Sequence, residues 1–232
     1  MNYIVIPAYQ PDNKLITLIE KIHEKSDFRI LVIDDGSSSK CQNIFDKAEQ
    51  YATVLRHQVN QGKGQALKTA FTYIQQQNSY GTVVTADADG QHKIWDIFRT
   101  ANKASENPNK LILGVRAFTG KVPLRSRFGN SLTKALFKIQ TGVEVADTQT
   151  GLRAFTTNLI PFMLKIEGQR YEYEMNMLLE ATKEYQILEV PIETVYINDN
   201  EGSHFRPIRD GLMIYKNIFK FALSSLSSFV VD

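Results

Sequence analysis

The amino-acid sequence predicts an α/β fold: a mostly parallel, doubly wound sheet with helices on its flanks. Two observations carry that prediction. Short apolar runs of strand length alternate with stretches of helical periodicity through the first half of the chain, the pattern of repeated strand-helix units. The chain is also long enough to bury a real core, with 232 residues, 43% of them apolar and 22% charged, which excludes a disordered chain.

The elements follow in order. Residues 3–6 (YIVI) read as a buried strand. Pro11 and Asp12 then open a helix that places Leu15, Leu18, Ile19 and Ile22 on one face. Residues 29–33 (RILVI) form the next strand, and Ile44, Phe45, Ala48 and Tyr51 mark the next helix. Val54 and Leu55 sit in a third short strand, and the loop NQGKGQ leads into a helix carrying Leu67, Ala70, Phe71 and Ile74. TVVTAD reads as strand, 94–104 as helix and LILGV as strand. Beyond these, 126–140 is helical, DTQTGLRAF runs from loop into strand, 158–166 and 171–185 are helical, and ILEVPIETVYI is extended. No repeat or clean linker interrupts the chain, so one domain over 1–218 is expected, followed at 219–232 by an amphipathic closing helix or the start of a truncated membrane domain.

Composition narrows the function. A net charge of +2 makes no case for nucleic-acid binding. The single cysteine, Cys41, excludes a disulfide framework and a cysteine-rich zinc site. The N-terminal apolar run is too short, and lacks the basic flank, for a signal peptide.

Chemistry concentrates at the predicted strand ends. In TADADGQH, Asp87 and Asp89 would share one face of an extended strand at its carboxyl end, where open α/β sheets bind ligands. Paired carboxylates suit a hard cation such as Mg²⁺ or Mn²⁺, although an Asp-Gly turn closing a strand would look the same. In IDDGSSS, Asp34 and Asp35 could accept hydrogen bonds from a base or ribose, with the serines capping the next helix. IPAYQP offers Pro7 and Tyr9 beside a base. NQGKGQA places Lys63 between two glycines ahead of a helix, a plausible anion-facing loop. Neither the Walker spacing nor G-x-G-x-x-G is present, which removes support for ATP hydrolysis and dinucleotide chemistry. Glu172 and Glu174 in YEYEMNM would share a face if extended but not if helical, and stand as candidate bases, helix-start charges or partners of a basic face. From Asn107 to Val143 no acid occurs, while Lys110, Arg116, Lys121, Arg125, Arg127, Lys134 and Lys138 do. That run is either a solvated face or a surface for anionic lipid head groups.

Taken in order, PAYQP, VIDDGS, NQGKGQAL, TADADGQH, LGVRAF, DTQTGLRAF and SHFRPIRDG resemble the family 2 glycosyltransferases of the GT-A fold, and more narrowly the dolichyl- and polyprenyl-phosphate sugar synthases. The resemblance covers residues 3 to about 218. It implies that Asp89 and Gln91, with Asp87, hold Mg²⁺ or Mn²⁺. It implies that Pro7, Tyr9, Asp34, Lys63 and Asp87 surround the nucleotide, and that Arg116 and Arg127, with Arg125, grip the acceptor phosphate while Ser203 and Arg206 belong to a loop closing on the phosphates. His204 is then a loop contact. Asp89, Arg116 and Arg127 are the residues expected to carry catalysis. The expected reaction is inverting transfer of a hexose, glucose first among the choices, from a nucleotide sugar to polyprenyl (undecaprenyl) phosphate at the cytoplasmic face of a membrane. UDP-glucose is favoured as donor, with GDP-mannose, UDP-galactose and UDP-N-acetylglucosamine open, as is a homo-oligomer. A saccharide-hydroxyl acceptor and a non-catalytic nucleotide-sugar-binding module are the alternatives.

Overall fold

The computed structural model describes residues 1–116 and 124–193, with side chains described for 1–116 and 133–193. Seven strands form one sheet: β1 (Tyr3–Ala8), β2 (Arg29–Asp34), β3 (Thr53–Arg56), β4 (Thr82–Thr85), β5 (Lys110–Arg116), β6 (Arg153–Thr156) and β7 (Gln186–Ile192). Their order is β3-β2-β1-β4-β6-β5-β7. All pairings are parallel except those of β6, which runs antiparallel to both β4 and β5. The expected mostly parallel α/β sheet is therefore present.

Side-chain alternation along the strands builds two cores. Tyr3 and Val5 of β1 enter one apolar cluster, whereas Ile4 and Ile6 enter the other. The first is closed by α3 (Lys63–Gln76), α6 (Ile160–Lys165) and α7 (Glu172–Glu184). The second is closed by α1 (Lys14–Lys25), α2 (Gln42–Ala48) and α4 (Ile94–Glu106). The predicted faces hold: Leu15, Leu18, Ile19 and Ile22 of α1 are all buried, as are Leu67, Ala70, Phe71 and Ile74 of α3. Asp12 starts α1 by accepting the backbone N–H of Lys14 at 2.8 Å. One further helix, α5 (Leu124–Thr141), links β5 to β6.

Three expectations need correction. The strand through TVVTAD stops at Thr85, so Asp87 and Asp89 lie beyond it and share no strand face. The second helix ends at Ala48, leaving Tyr51 outside it. The serines after Asp34 do not cap a helix: the Oγ of Ser37 accepts the backbone N–H of Gln10 at 2.9 Å, and that of Ser38 donates to the Gln10 side chain at 2.9 Å. They tie the β2 turn to the β1 turn.

The topology fixes where a site forms. The chain lays down β1, β2 and β3 outward on one side and then returns to place β4 on the other side of β1. The carboxyl ends of β1 and β4 therefore flank the switch point, where side loops diverge and leave a crevice. Among the described residues no helix is long and apolar enough to cross a membrane. The expected boundary near residue 218, the segment 219–232, Ser203, His204 and Arg206 lie outside the described residues, as do Lys121 and the side chains of Arg125 and Arg127.

Candidate active site

Asp87 lies just past the carboxyl end of β4, beside the switch point. The Ala86 N–H still bonds the Val5 carbonyl at 3.0 Å, the last tie to the sheet. The chain then turns, and the Asp89 carboxylate accepts the Gln91 N–H at 3.0 Å, a side-chain turn that ends the extended run. Asp87 is held on three sides. Its Oδ1 accepts from Lys63 Nζ at 2.7 Å, and its Oδ2 lies 3.4 Å from His92 Nε2. On the third side is the backbone of Gly151, pulled in by the Thr85 hydroxyl donating to its carbonyl at 2.7 Å. A Cβ at position 151 would lie 2.3 Å from Asp87 Oδ2, so only glycine allows this approach.

Lys63 reaches Asp87 because of the glycines around it. Gly62 adopts a φ of +101°, and a Cβ there would meet Arg170 Cγ at 2.5 Å. Gly64 packs on Tyr173, where a Cβ would meet Tyr173 Cβ at 2.5 Å. The start of α3 thus abuts the start of α7, and Lys63 Nζ bonds both Asp87 and, at 2.9 Å, Glu174 Oε2. The loop before it is anchored by Asp35. That carboxylate accepts from the Gln61 and Gly62 N–H groups at 2.8 Å, from Asn60 Nδ2 at 2.9 Å, and pairs with His57 Nδ1 at 2.8 Å. Asp35 is therefore spent on the loop, and only Asp34 of the pair remains toward the crevice, accepting the Ser37 N–H at 2.8 Å.

The electrostatics follow. Burial opposes the charge on Lys63, but Asp87 and Glu174 outweigh it and hold the ammonium above the usual lysine range. Burial alone would raise the Asp87 carboxyl, yet Lys63 and then His92 hold it well below the usual carboxylate range. Asp89 behaves oppositely: burial, and then the charge of Asp87, push it up. An Asp89 carboxylate is thus short of positive charge. Asp87, Asp89 and Gln91 supply only oxygen ligands on that side, and this donor set fits a hard divalent cation.

The other expected residues take definite places. Pro7 and Ala8 of β1 stand in register with Ile33 and Asp34 of β2, and Tyr9 follows, 38% exposed. Pro7, Tyr9, Asp34 and Asp87 thus lie at the ends of three adjacent parallel strands. Arg116 ends β5, farther along the sheet, and its guanidinium binds the fully buried Asp147 through Nε at 2.5 Å and Nη2 at 3.0 Å. Glu172 and Glu174 are helical, in the first turn of α7. Glu172 Oε1 accepts the N–H groups of Gln169 and Arg170 at 3.0 and 3.1 Å, and Glu174 binds Lys63, so both carboxylates are already engaged.

Sequence reasoning passed over Asp147, Gly151 and Arg153, although all three stand in DTQTGLRAF. Arg153 is buried, and its guanidinium donates to the carbonyls of Thr150 and Glu174. The Gly151 approach to Asp87 and the Arg153 bond to the Glu174 carbonyl leave no local spacing signal, because those partners are far away along the chain.

The chain is similar to known proteins in sequence and in fold. The protein is 26% identical over 215 residues to a UDP-N-acetylglucosamine–dolichyl-phosphate N-acetylglucosaminyltransferase of Methanococcus voltae, covering 84% of this chain and 85% of that one. It is 25% identical over 252 residues to the dolichyl-phosphate beta-glucosyltransferase of Saccharomyces cerevisiae, covering 93% and 72%. In fold it is similar to glucosyl-3-phosphoglycerate synthase from Mycobacterium tuberculosis, solved with Mn²⁺, UDP-glucose and phosphoglyceric acid. The TM-score is 0.69 and the identity 18%, over 97% of this chain and 79% of that one. This confirms the GT-A architecture. The sequence profile of glycosyl transferase family 2 matches residues 3–162, from the first residue of β1 into α6 and across every strand end of the crevice, and the chain belongs to that family.

Proposed function

We propose that this glycosyltransferase moves a hexose from a nucleotide sugar to a polyprenyl phosphate at a membrane surface, on its cytoplasmic face. The observation that carries the reading is the pair of dolichyl-phosphate transferases that align with most of the chain. The engagement of Glu172 and Glu174 supports it. A sugar hydroxyl would need a carboxylate base, whereas a lipid phosphate is already ionised at neutral pH.

In this reading a phosphate oxygen of the acceptor attacks the anomeric carbon of the donor. The bond from that carbon to the nucleoside diphosphate breaks, its electron pair leaves on the diphosphate oxygen, and the configuration inverts. Pro7, Tyr9, Asp34 and Lys63 orient the nucleotide. Arg116, with Arg125 and Arg127, orients the acceptor phosphate, and Ser203 and Arg206 close on the phosphates. Asp87, Asp89 and Gln91 would hold Mg²⁺ or Mn²⁺, which supplies positive charge against the departing diphosphate. Glucose from UDP-glucose is the first choice; the Methanococcus voltae relative makes N-acetylglucosamine its nearest competitor, with mannose from GDP-mannose next.

The test is transfer of labelled sugar into the organic phase from UDP-glucose, UDP-N-acetylglucosamine and GDP-mannose in turn, with polyprenyl phosphate in detergent. Label is expected in lipid with Mg²⁺ or Mn²⁺, absent with chelator and with Asp89→Ala. Label passing instead to a soluble saccharide, with no dependence on lipid, would overturn the reading.

A further inference from the structure

Lys63 is one cation shared between two carboxylates, and the sharing is unequal in its consequences. Asp87 has a second neighbour in His92. Glu174 has Lys63 as its one side-chain hydrogen-bond partner among the described residues: its Oε2 bonds Lys63 at 2.9 Å and its Oε1 is buried with no such partner, while the buried Arg153 guanidinium acts on it by charge. The Glu174 side chain is only 11% exposed and that of Lys63 17%, so water screens the pair poorly. The place of Glu174 is set independently of Lys63, because the buried guanidinium of Arg153 donates to its backbone carbonyl and Gly64 seats α3 on Tyr173 next to it. Glu174 is thus a fixed negative group on α7, and among the described residues Lys63 is the side chain that hydrogen-bonds both it and Asp87.

We infer that Glu174 is a positioning residue that holds the Lys63 ammonium back from Asp87, leaving Asp87 able to serve a divalent cation. This rests on the reading of Asp87 and Asp89 as the metal-binding turn. A lysine with Asp87 as its sole carboxylate partner would hold it more tightly and compete with a metal for the same oxygens. A lysine drawn also toward Glu174 holds Asp87 in place without capturing it.

The signs of the effects follow. Glu174→Gln removes one claim on Lys63, so Mn²⁺ is expected to bind about tenfold more weakly. Lys63→Met removes the competitor, so Mn²⁺ is expected to bind more tightly by a similar factor. In the Lys63→Met background, adding Glu174→Gln is expected to change affinity less than about threefold, because the path through Lys63 is gone. The implied coupling lies in the range usual for side chains in direct contact.

The measurement is Mn²⁺ binding to the intact chain, read by the loss of the free-ion EPR signal with neither nucleotide nor acceptor present, for wild type, both single variants and the double variant. Opposite shifts in the singles, with a silent second substitution in the double, support the inference. Equal losses from Glu174→Gln with and without Lys63 would overturn it, leaving Glu174 as a through-space charge or a packing residue. If Glu174→Gln fails to fold, Lys63→Met alone decides: weaker Mn²⁺ binding overturns the inference and tighter binding sustains it. A wild-type chain that takes up no Mn²⁺, or one whose uptake survives Asp89→Ala, overturns the metal-turn reading and the inference with it. That result is distinct from a wild type that binds at the turn while the Glu174 variants behave alike.

Discussion

Single atoms decide the geometry of the TADADGQH turn. The missing side chain at Gly151 leaves room for the Asp87 carboxylate, since a Cβ there would sit 2.3 Å from Oδ2 and 2.7 Å from Oδ1. Lys63 holds the opposite oxygen at 2.7 Å, so the carboxylate cannot retreat without breaking that bond. Gly151→Ala should therefore displace Asp87 rather than unfold the chain. Transfer activity is expected to fall roughly 100-fold, the usual effect of misplacing a reacting constellation by about an ångström, with a thermal midpoint within a few degrees of wild type. Retained activity in a folded Gly151→Ala chain would show that Asp87 needs no fixed position. Arg116 and Asp147 are a second case. A bidentate pair with a fully buried carboxylate leaves an uncompensated charge when one partner is removed. Asp147→Ala should cost about 3–5 kcal/mol by urea unfolding, more than any substitution of an exposed member of the basic run, such as Lys138.

At the scale of elements, the loop between β3 and α3 is organised by one carboxylate. Asp35 gathers two backbone N–H groups, the Asn60 amide and His57, whose other ring nitrogen lies 2.9 Å from the Thr69 hydroxyl of α3. Asp35→Asn would turn a donor toward two of these donors at once. The expected loss is about 3 kcal/mol in stability, from buried groups left unsatisfied. Weakened nucleotide binding should accompany it, since the same loop carries Lys63. A chain as stable as wild type by urea midpoint would remove this role. Here the limits of the sequence are physical. VIDDGS shows two acids at a strand end, but which one faces the crevice depends on the loop at 60–62, some 25 residues on. The period of apolar residues marks α1 and α3 well, because each buries one face. It places the end of β4 two residues late, because Asp87 continues the alternation while the Asp89 side-chain turn has already replaced the ladder.

On the scale of the whole molecule, the charge pattern changes meaning once folded. The run from Asn107 to Val143 holds no acid in sequence. In space Lys138 bonds Glu144 at 2.8 Å, Lys134 lies 3.6 Å from Glu144, and Arg116 is taken by Asp147. Acids just past the run neutralise part of it, which no count inside the run reveals. The strand ends fare better: β1, β2 and β4, parallel and adjacent, bring Pro7, Tyr9, Asp34 and Asp87 to one edge as the doubly wound pattern requires. A nucleotide bound there bridges segments from Tyr9 to Asp89, so its binding should stabilise the fold as a unit rather than one loop. At a concentration of about 100 times Kd the gain is about 2.7 kcal/mol. For a domain of this size that corresponds to a rise of roughly 5–10 °C in thermal midpoint. UDP with Mn²⁺ is expected to produce the shift, chelator and Asp89→Ala to abolish it, and GDP with Mn²⁺ to give at most a small fraction of it. A larger shift with GDP would reassign the donor to GDP-mannose while leaving the site intact. No shift with either nucleotide, from a chain that melts cooperatively, would show that neither UDP nor GDP binds the folded chain and would overturn the nucleotide site at the β1-β4 strand ends.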